Sequence, residues 1–186
     1  MLETLANLDS GMLLFIQDYI RNPILTPIFL TVTKLGNAGI IWIILSIVLL
    51  IPKKTRTIGY MSVCALIGSL LINNLILKNL VERTRPYEVV QGLIPLLGKQ
   101  VDFSFPSGHT GSSFAAACIL YRKLPKKYGM PALLLAFLIA MSRLYLGVHY
   151  PSDVLFGMLS GIAISHVAEM IVNYRFKENL EMESIE

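Results

Sequence analysis

An all-α, polytopic transmembrane helix bundle is the fold class this sequence predicts, and three observations carry it. Of 186 residues, 54% are apolar and only 15% charged, where a soluble domain carries about 25% charged residues. The mean hydropathy is +0.63. Apolar runs near membrane length alternate with short polar loops, and the basic residues cluster in alternate loops. The length suits one domain overall. The net charge of +4 fits basic cytoplasmic loops and does not point to nucleic acid.

The elements follow in order. The start MLETLANLDSG is acidic and lacks a basic n-region, so it does not read as a cleavable signal peptide. Asp9 or Ser10 can cap a helix through Ile20. Asn22-Pro23 is an N-cap and first-turn pair, and Gly36 a stop. Residues 1–36 are therefore expected as two interfacial or re-entrant helices, with a sixth, tilted span as the alternative. Residues 37–177 are expected as the bundle, with five clear spans. Four are near full length, at 38–52, 58–77, 129–148 and 151–173. The fifth, 107–121, is short of the roughly 20 residues a span needs and must lean on its neighbours. Its Gly108, Gly111, Ser112, Ala115 and Ala116 suit close helix packing. Residues 178–186 read as an acidic cytoplasmic tail. Cys64 and Cys118 both sit in apolar runs, as buried thiols do.

Orientation follows from charge. Lys53–Arg56, Arg122–Lys127 and Arg175 with Lys177 hold nine of the sixteen basic residues and fall at alternate crossings. The positive-inside rule makes that face cytoplasmic. The opposite face carries the loops around 78–107 and 143–151.

Those two loops gather polar residues that folding does not require: Lys78, Arg83, Arg85, Ser107, His109, Arg143, His149 and Asp153. One basic residue at a helix end only snorkels, but three cations beside two of the chain's three histidines call for another account. Lys78, Arg85 and Arg143 suit a dianionic phosphate, because arginine offers bidentate hydrogen bonds and lysine a compact charge. Ser107-Gly108-His109 opens a helix, whose free N–H groups attract an anion, and Gly108 lets the backbone approach. Pro86 biases Arg85 away from helix. One histidine can attack phosphorus while the other protonates the leaving oxygen. Asp153, four residues after His149, can orient an imidazole from a helix start. A metal is disfavoured: Asp153 is the clear carboxylate, Asp102 has no partner pattern, and the cations repel a divalent ion.

Lys78-(six residues)-Arg85-Pro86, Pro106-Ser107-Gly108-His109 and Ser142-Arg143-(five residues)-His149-(three residues)-Asp153 together resemble the three-part signature of the type-2 phosphatidic acid phosphatase superfamily. All three parts stand in order over 78–153. The spans point to its membrane lipid phosphatase branch. The resemblance implies that His149 is the nucleophile and forms a phosphohistidine, and that Asp153 orients it. It implies that His109 is the general acid, and that Lys78, Arg85, Arg143, Ser107 and Gly108 bind the phosphoryl oxygens. No metal and no cofactor are implied.

Other residues have plainer readings. His166 and Glu169 read as a packed or interfacial pair, since two ligands do not make a metal site. Asn73 and Asn74 read as interhelical glue. Trp42, Tyr60, Tyr121 and Tyr128 fit the aromatic belt. Arg83 reads as a solvated loop charge or a contact to a second phosphate, and Tyr87 as a flank of the substrate.

The function expected from the resemblance is hydrolysis of a lipid phosphomonoester or diphosphate at the extracytoplasmic face of a bacterial inner membrane. Undecaprenyl diphosphate, phosphatidylglycerophosphate and phosphatidic acid are the candidate substrates. A phosphotransferase using the same residues is the near alternative. A non-catalytic lipid-phosphate binding or transport protein is the distant one, and it has no need of His149 or Asp153. The expected partners are the lipid substrate and the bilayer.

Overall fold

The computed structural model describes residues 2–183, with side chains over 4–175. The expected acidic tail therefore falls largely outside what is described: residues 184–186 wholly, and 178–183 in their side chains. The described chain is all helix and loop. Helix α1 (Leu2–Phe15) runs on into a π-helical turn, Ile16–Ile20. It is followed by α2 (Leu25–Leu35), a 3-10 turn at Asn37–Gly39, α3 (Ile40–Leu50) and α4 (Arg56–Ser69). Helix α4 continues through a π-helical stretch, Leu70–Leu77, into α5 (Lys78–Val81). Then come the single turn α6 (Pro86–Val89), α7 (Gly108–Lys123), α8 (Lys126–Tyr145) and α9 (Pro151–Glu183).

Three of these stretches are long and apolar enough to cross a membrane: Arg56–Val89, Lys126–Tyr145 and Pro151–Arg175. The pair Leu25–Leu35 and Asn37–Leu50, bent by 46°, passes together as a fourth. Five spans were expected, so the count is corrected to three, or four with the bent pair. The physical reasons differ for the two that drop out. The run at 38–52 yields only eleven helical residues, and it gains membrane length only by joining α2. Helix α7 has sixteen residues, or about 24 Å at 1.5 Å per residue, short of a core of about 30 Å. It is instead the buried axis of the bundle: every residue from Thr110 to Leu120 except Ser112 is buried. It packs on α4, α8 and α9.

Small residues make that axis possible. A Cβ added at Gly161 of α9 would lie 2.5 Å from the Gly111 carbonyl oxygen of α7, so the two backbones touch there. Asn73, in the π-helical stretch after α4, ties that stretch to α9, since its Oδ1 accepts from Ser160 Oγ at 2.9 Å. That is the interhelical role expected of it. Trp42 was expected in an interfacial belt but is fully buried, its Nε1 donating to Ser113 of α7 at 2.9 Å. An indole is buried readily when its one polar atom finds a partner.

The N-terminal segment caps as expected at Asn22, whose Oδ1 accepts from the N–H groups of Ile24 and Leu25 at 3.0 and 2.9 Å. Asp9 does not cap. It lies within α1 and is buried. The bend after α2 needs left-handed backbone at Ala38 (φ 49°) and Gly39 (φ 68°).

Because the helices alternate in direction, the ends of α4 and α8 and the starts of α7 and α9 share one end of the bundle. Lys53–Arg56, Arg122–Lys127 and Arg175 fall at the other. There Glu169 takes Arg122 at 2.9 Å and also pairs with Lys123. Among the described residues no group of three or more His, Cys, Asp or Glu is placed to hold a metal ion.

Candidate active site

At the end of the bundle away from the basic clusters, a cavity of about 620 Å³ brings together Lys78, Arg85, Gly108, His109, Arg143 and His149. Ser107 and Asp153 stand just behind it. All eight predicted residues thus converge, although they come from five segments of the chain. The cavity's other wall is apolar, formed by Ile43 of α3, Val63, Leu66 and Ile67 of α4, and Leu70 at the start of the π-helical stretch.

Each residue is placed by its local structure. Arg85 is extended (ψ 146°) ahead of Pro86, as a residue before proline should be, and this turns its side chain inward. Ser107 caps α7: its Oγ accepts from Thr110 N at 3.4 Å and from Thr110 Oγ1 at 2.9 Å. Gly108 is packed so tightly that an added Cβ would lie 2.7 Å from Asn74 Oδ1. The first turn of α7 therefore presents bare backbone N–H groups, the usual anion-binding end of a helix. Arg143 is buried in the last turn of α8. Its Nη1 donates to Thr33 Oγ1 at 2.5 Å, while its buried Nε has no partner.

The two histidines differ. His149 is fully buried between α8 and α9. Its Nε2 lies 3.1 Å from Arg85 Nη1. Arginine can only donate, so Nε2 must accept, and the proton of the neutral ring belongs on Nδ1. Nδ1 lies 3.5 Å from Asp153 Oδ2, a charge-pair distance longer than a hydrogen bond. Burial depresses the His149 imidazole to about 3. Asp153 opposes that shift, and Arg85 and Arg143 add to it. The ring is therefore neutral, and its Nε2 lone pair, the one a nucleophile needs, is held by Arg85 at the cavity wall. His109 has its Nε2 2.9 Å from Asn37 Oδ1.

Asp153 is completely buried and held on both oxygens. Oδ2 accepts from Ser104 Oγ at 2.5 Å and from Tyr150 N at 2.9 Å. Oδ1 accepts from Arg83 Nη1 at 2.6 Å. Arg83 is accordingly neither a solvated charge nor a wall of the cavity. Its other nitrogen, Nη2, reaches Asp9 Oδ2 at 2.7 Å, and its guanidinium lies 3.8 Å over the Tyr150 ring. Asp9 in turn accepts from Ser152 N at 3.0 Å, so α1 holds the start of α9. Tyr87, expected to flank substrate, instead accepts from Gln100 N at 3.0 Å and supports the loop before α7.

Sequence reasoning passed over five contributors: Asp9, Thr33, Asn37, Asp102 and Ser104. Asp102 carries two ion pairs. It bonds Lys78 Nζ through Oδ2 and takes Arg85 Nη2 at 2.5 Å through Oδ1. Burial raises its carboxyl pKa, but Lys78 and Arg85 outweigh that and hold it at about 2. The signal for Asp102 and Ser104 was proximity to Pro106-Ser107-Gly108-His109. Asp9, Thr33 and Asn37 carry no local signal.

A helical bundle with membrane-length apolar helices, and a cationic pocket with two histidines at one end, defines a class of membrane protein built to hold a phosphate-like anion. Residues 59–177 match the model of the PAP2 superfamily, the type-2 phosphatidic acid phosphatases, and the chain belongs to that family. It is 34% identical over 131 residues to an undecaprenyl-diphosphatase of Sulfolobus acidocaldarius, covering 70% of this chain and 63% of that one. It thus spans less than two thirds of that relative's length. Two solved structures are similar. One is the first transmembrane PAP2-type phosphatidylglycerolphosphate phosphatase from Bacillus subtilis, with a TM-score of 0.74 and 27% identity over 92% of this chain and 87% of that one. The other is LpxE of Aquifex aeolicus, with a TM-score of 0.77 and 28% identity over 87% and 94%. The family match begins at residue 59, so α1, α2 and α3, with Asp9, Thr33 and Asn37, lie outside it.

Proposed function

We propose that this protein is an integral membrane lipid phosphate phosphatase that works through a phosphohistidine and needs no metal. One observation carries the reading: three cations and two histidines share a cavity with an apolar wall. A phosphate headgroup fits the first set, and the start of a lipid tail fits the second. In the reaction, His149 Nε2 attacks phosphorus and the bond to the leaving oxygen breaks. His109 delivers the proton to that oxygen, and Asp153 stabilises the charged imidazole. Water then attacks the phosphohistidine, His109 takes its proton, and phosphate leaves. Lys78, Arg85, Arg143, Ser107 and the Gly108 N–H hold the phosphoryl oxygens, where charge builds in the transition state.

The substrate is a lipid phosphomonoester or diphosphate of the undecaprenyl diphosphate, phosphatidylglycerophosphate or phosphatidic acid type. The names of the relatives support the first two. The site faces the extracytoplasmic side of a bacterial inner membrane, by the positive-inside rule. Residues 37–177 form the catalytic bundle, residues 1–36 its interfacial or re-entrant flank, and 178–186 a cytoplasmic tail.

The test is lipid hydrolysis in detergent across those three substrates, for wild type and His149→Ala, with and without EDTA. Release should vanish in the variant and survive EDTA. Undiminished release from His149→Ala removes the assigned nucleophile, and loss with EDTA that a divalent ion restores removes the metal-free claim. Cysteine labelling at positions 99 and 126 should report opposite faces. Labelling of both from one side overturns the orientation.

A further inference from the structure

We propose that Asp102 is a built-in stand-in for the substrate's phosphate: its carboxylate holds the Lys78 and Arg85 donors that a phosphoryl group needs, and an incoming phosphoryl group displaces it. This rests on the reading of the cavity as a phosphate site and adds a residue that sets which anions enter.

The donor count of Arg85 carries the argument. Its guanidinium has five N–H donors. Nε donates to the Asp102 carbonyl at 3.0 Å, and Nη1 to the Val148 carbonyl at 2.7 Å and His149 Nε2 at 3.1 Å. Nη2 donates to Asp102 Oδ1 at 2.5 Å. Four of five donors are engaged. A bidentate grip on phosphate needs two parallel donors, which one remaining N–H cannot supply. Lys78 has its ammonium on the same carboxylate. The third cation, Arg143, still has a buried Nε without a partner. An anion therefore meets one cation that is open and two that are occupied.

Asp102 is also the partner most easily moved. Its side chain is 47% exposed, against 7% and 4% for Lys78 and Arg85, so it covers them from the solvent side. Its loop has backbone ties on either side, at Leu96 to the Leu146 carbonyl and at Ser104 to the Arg83 carbonyl. Asp153 makes the contrast: it is wholly buried and bonded on both oxygens, a fixed part of the scaffold.

Charge then selects the ligand. A terminal phosphate carries close to two negative charges at neutral pH and exchanges them for the single charge of a carboxylate. A phosphodiester carries one charge and exchanges like for like. When Arg85 turns its donors to a phosphoryl group, it also lets go of His149 Nε2. The nucleophile's lone pair is freed only when an anion able to displace Asp102 has arrived.

The experiment is competitive inhibition by inorganic phosphate, scored by appearance of the dephosphorylated lipid, for wild type, Asp102→Asn and Asp102→Glu. In Asp102→Asn the inhibition constant should fall about tenfold, the worth of one charge-assisted hydrogen bond no longer competed for. Asp102→Glu, which keeps the charge, should stay near wild type. Inorganic phosphate should also raise the melting temperature of Asp102→Asn more than that of wild type. Asp102→Ser serves the same comparison if the asparagine variant does not fold. An unchanged or raised inhibition constant in a folded, active Asp102→Asn overturns this proposal alone, because a carboxylate that merely braces the two cations would leave phosphate weaker when removed. A wild-type protein that neither binds phosphate nor dephosphorylates any lipid removes the phosphate reading and this proposal with it.

Discussion

Replacing Arg83 by alanine should damage both stability and catalysis, although Arg83 does not line the cavity. The substitution removes the one guanidinium that lies 2.6 Å from Asp153 Oδ1 and 2.7 Å from Asp9 Oδ2. It also removes the contact over the Tyr150 ring. Asp153 has no exposed surface and keeps only Ser104 Oγ, Tyr150 N and the distant His149 ring. Removing one partner of a buried ion pair costs about 3–5 kcal/mol. Arg83 is 27% exposed at the side chain, and water screening lowers the figure, so about 3 kcal/mol is expected. For a chain this long, each kcal/mol moves the melting temperature by about 2–4 °C, which gives a drop of roughly 6–12 °C. Asp153 is also freed to rotate away from His149 Nδ1, and kcat should fall about tenfold or more, with KM little changed. Thermal melting in detergent and initial rates on a lipid phosphate measure both. A folded Arg83→Ala with wild-type melting and wild-type kcat would refute the claim that Arg83 holds Asp153. Arg83→Lys should recover part of the stability, because it keeps the charge and loses the fork.

Three further outcomes are expected. Asn37→Ala removes the partner 2.9 Å from His109 Nε2 and should lower kcat about tenfold with little change in KM; a change confined to KM would place Asn37 in binding. Gly108→Ala puts a methyl 2.7 Å from Asn74 Oδ1 and should weaken inorganic phosphate as an inhibitor, with Asn74→Ala in the same chain restoring part of it; equal inhibition in Gly108→Ala and wild type would show that close packing there is dispensable. His149 is held at about 3 when folded and titrates near 6.5 when unfolded, so the stability it contributes is complete above about pH 6.5 and is lost as pH falls toward 3. Melting temperature should therefore decline below pH 6.5, less steeply in His149→Gln, and identical slopes would count against the buried neutral ring.

The amount legible in the sequence differed by element. The runs at 58–77, 129–148 and 151–173 were read correctly because lipid-facing helices are apolar on every side, and hydropathy records that directly. The run at 107–121 is too short to count among the membrane-length helices, and hydropathy did not show that it is sheathed in protein, because a helix buried in protein and one buried in lipid share an apolar composition. Only its length and its many small residues set it apart. Trp42 was misplaced for a related reason: an indole suits the interface and the core equally, and the choice was made by Ser113 lying within reach.

The sequence alone pointed to a membrane bundle and named the eight residues of the candidate site, because phosphate chemistry calls for particular side chains and the three motifs that carry them are each short. It also ranked Lys78, Arg85 and Arg143 together by charge. The tertiary structure alone decided what holds those residues in place. Asp9 on α1 and Thr33 on α2 are unremarkable in the chain, yet they meet Arg83 and Arg143 across 74 and 110 residues. Asn37, in the turn between α2 and α3, meets His109 across 72. Asp102 had no partner pattern until folding set it on two of the three cations. Hydrogen bonds and ion pairs act over about 3 Å in space, and the packing of helices, not their order in the chain, brings such partners within that distance.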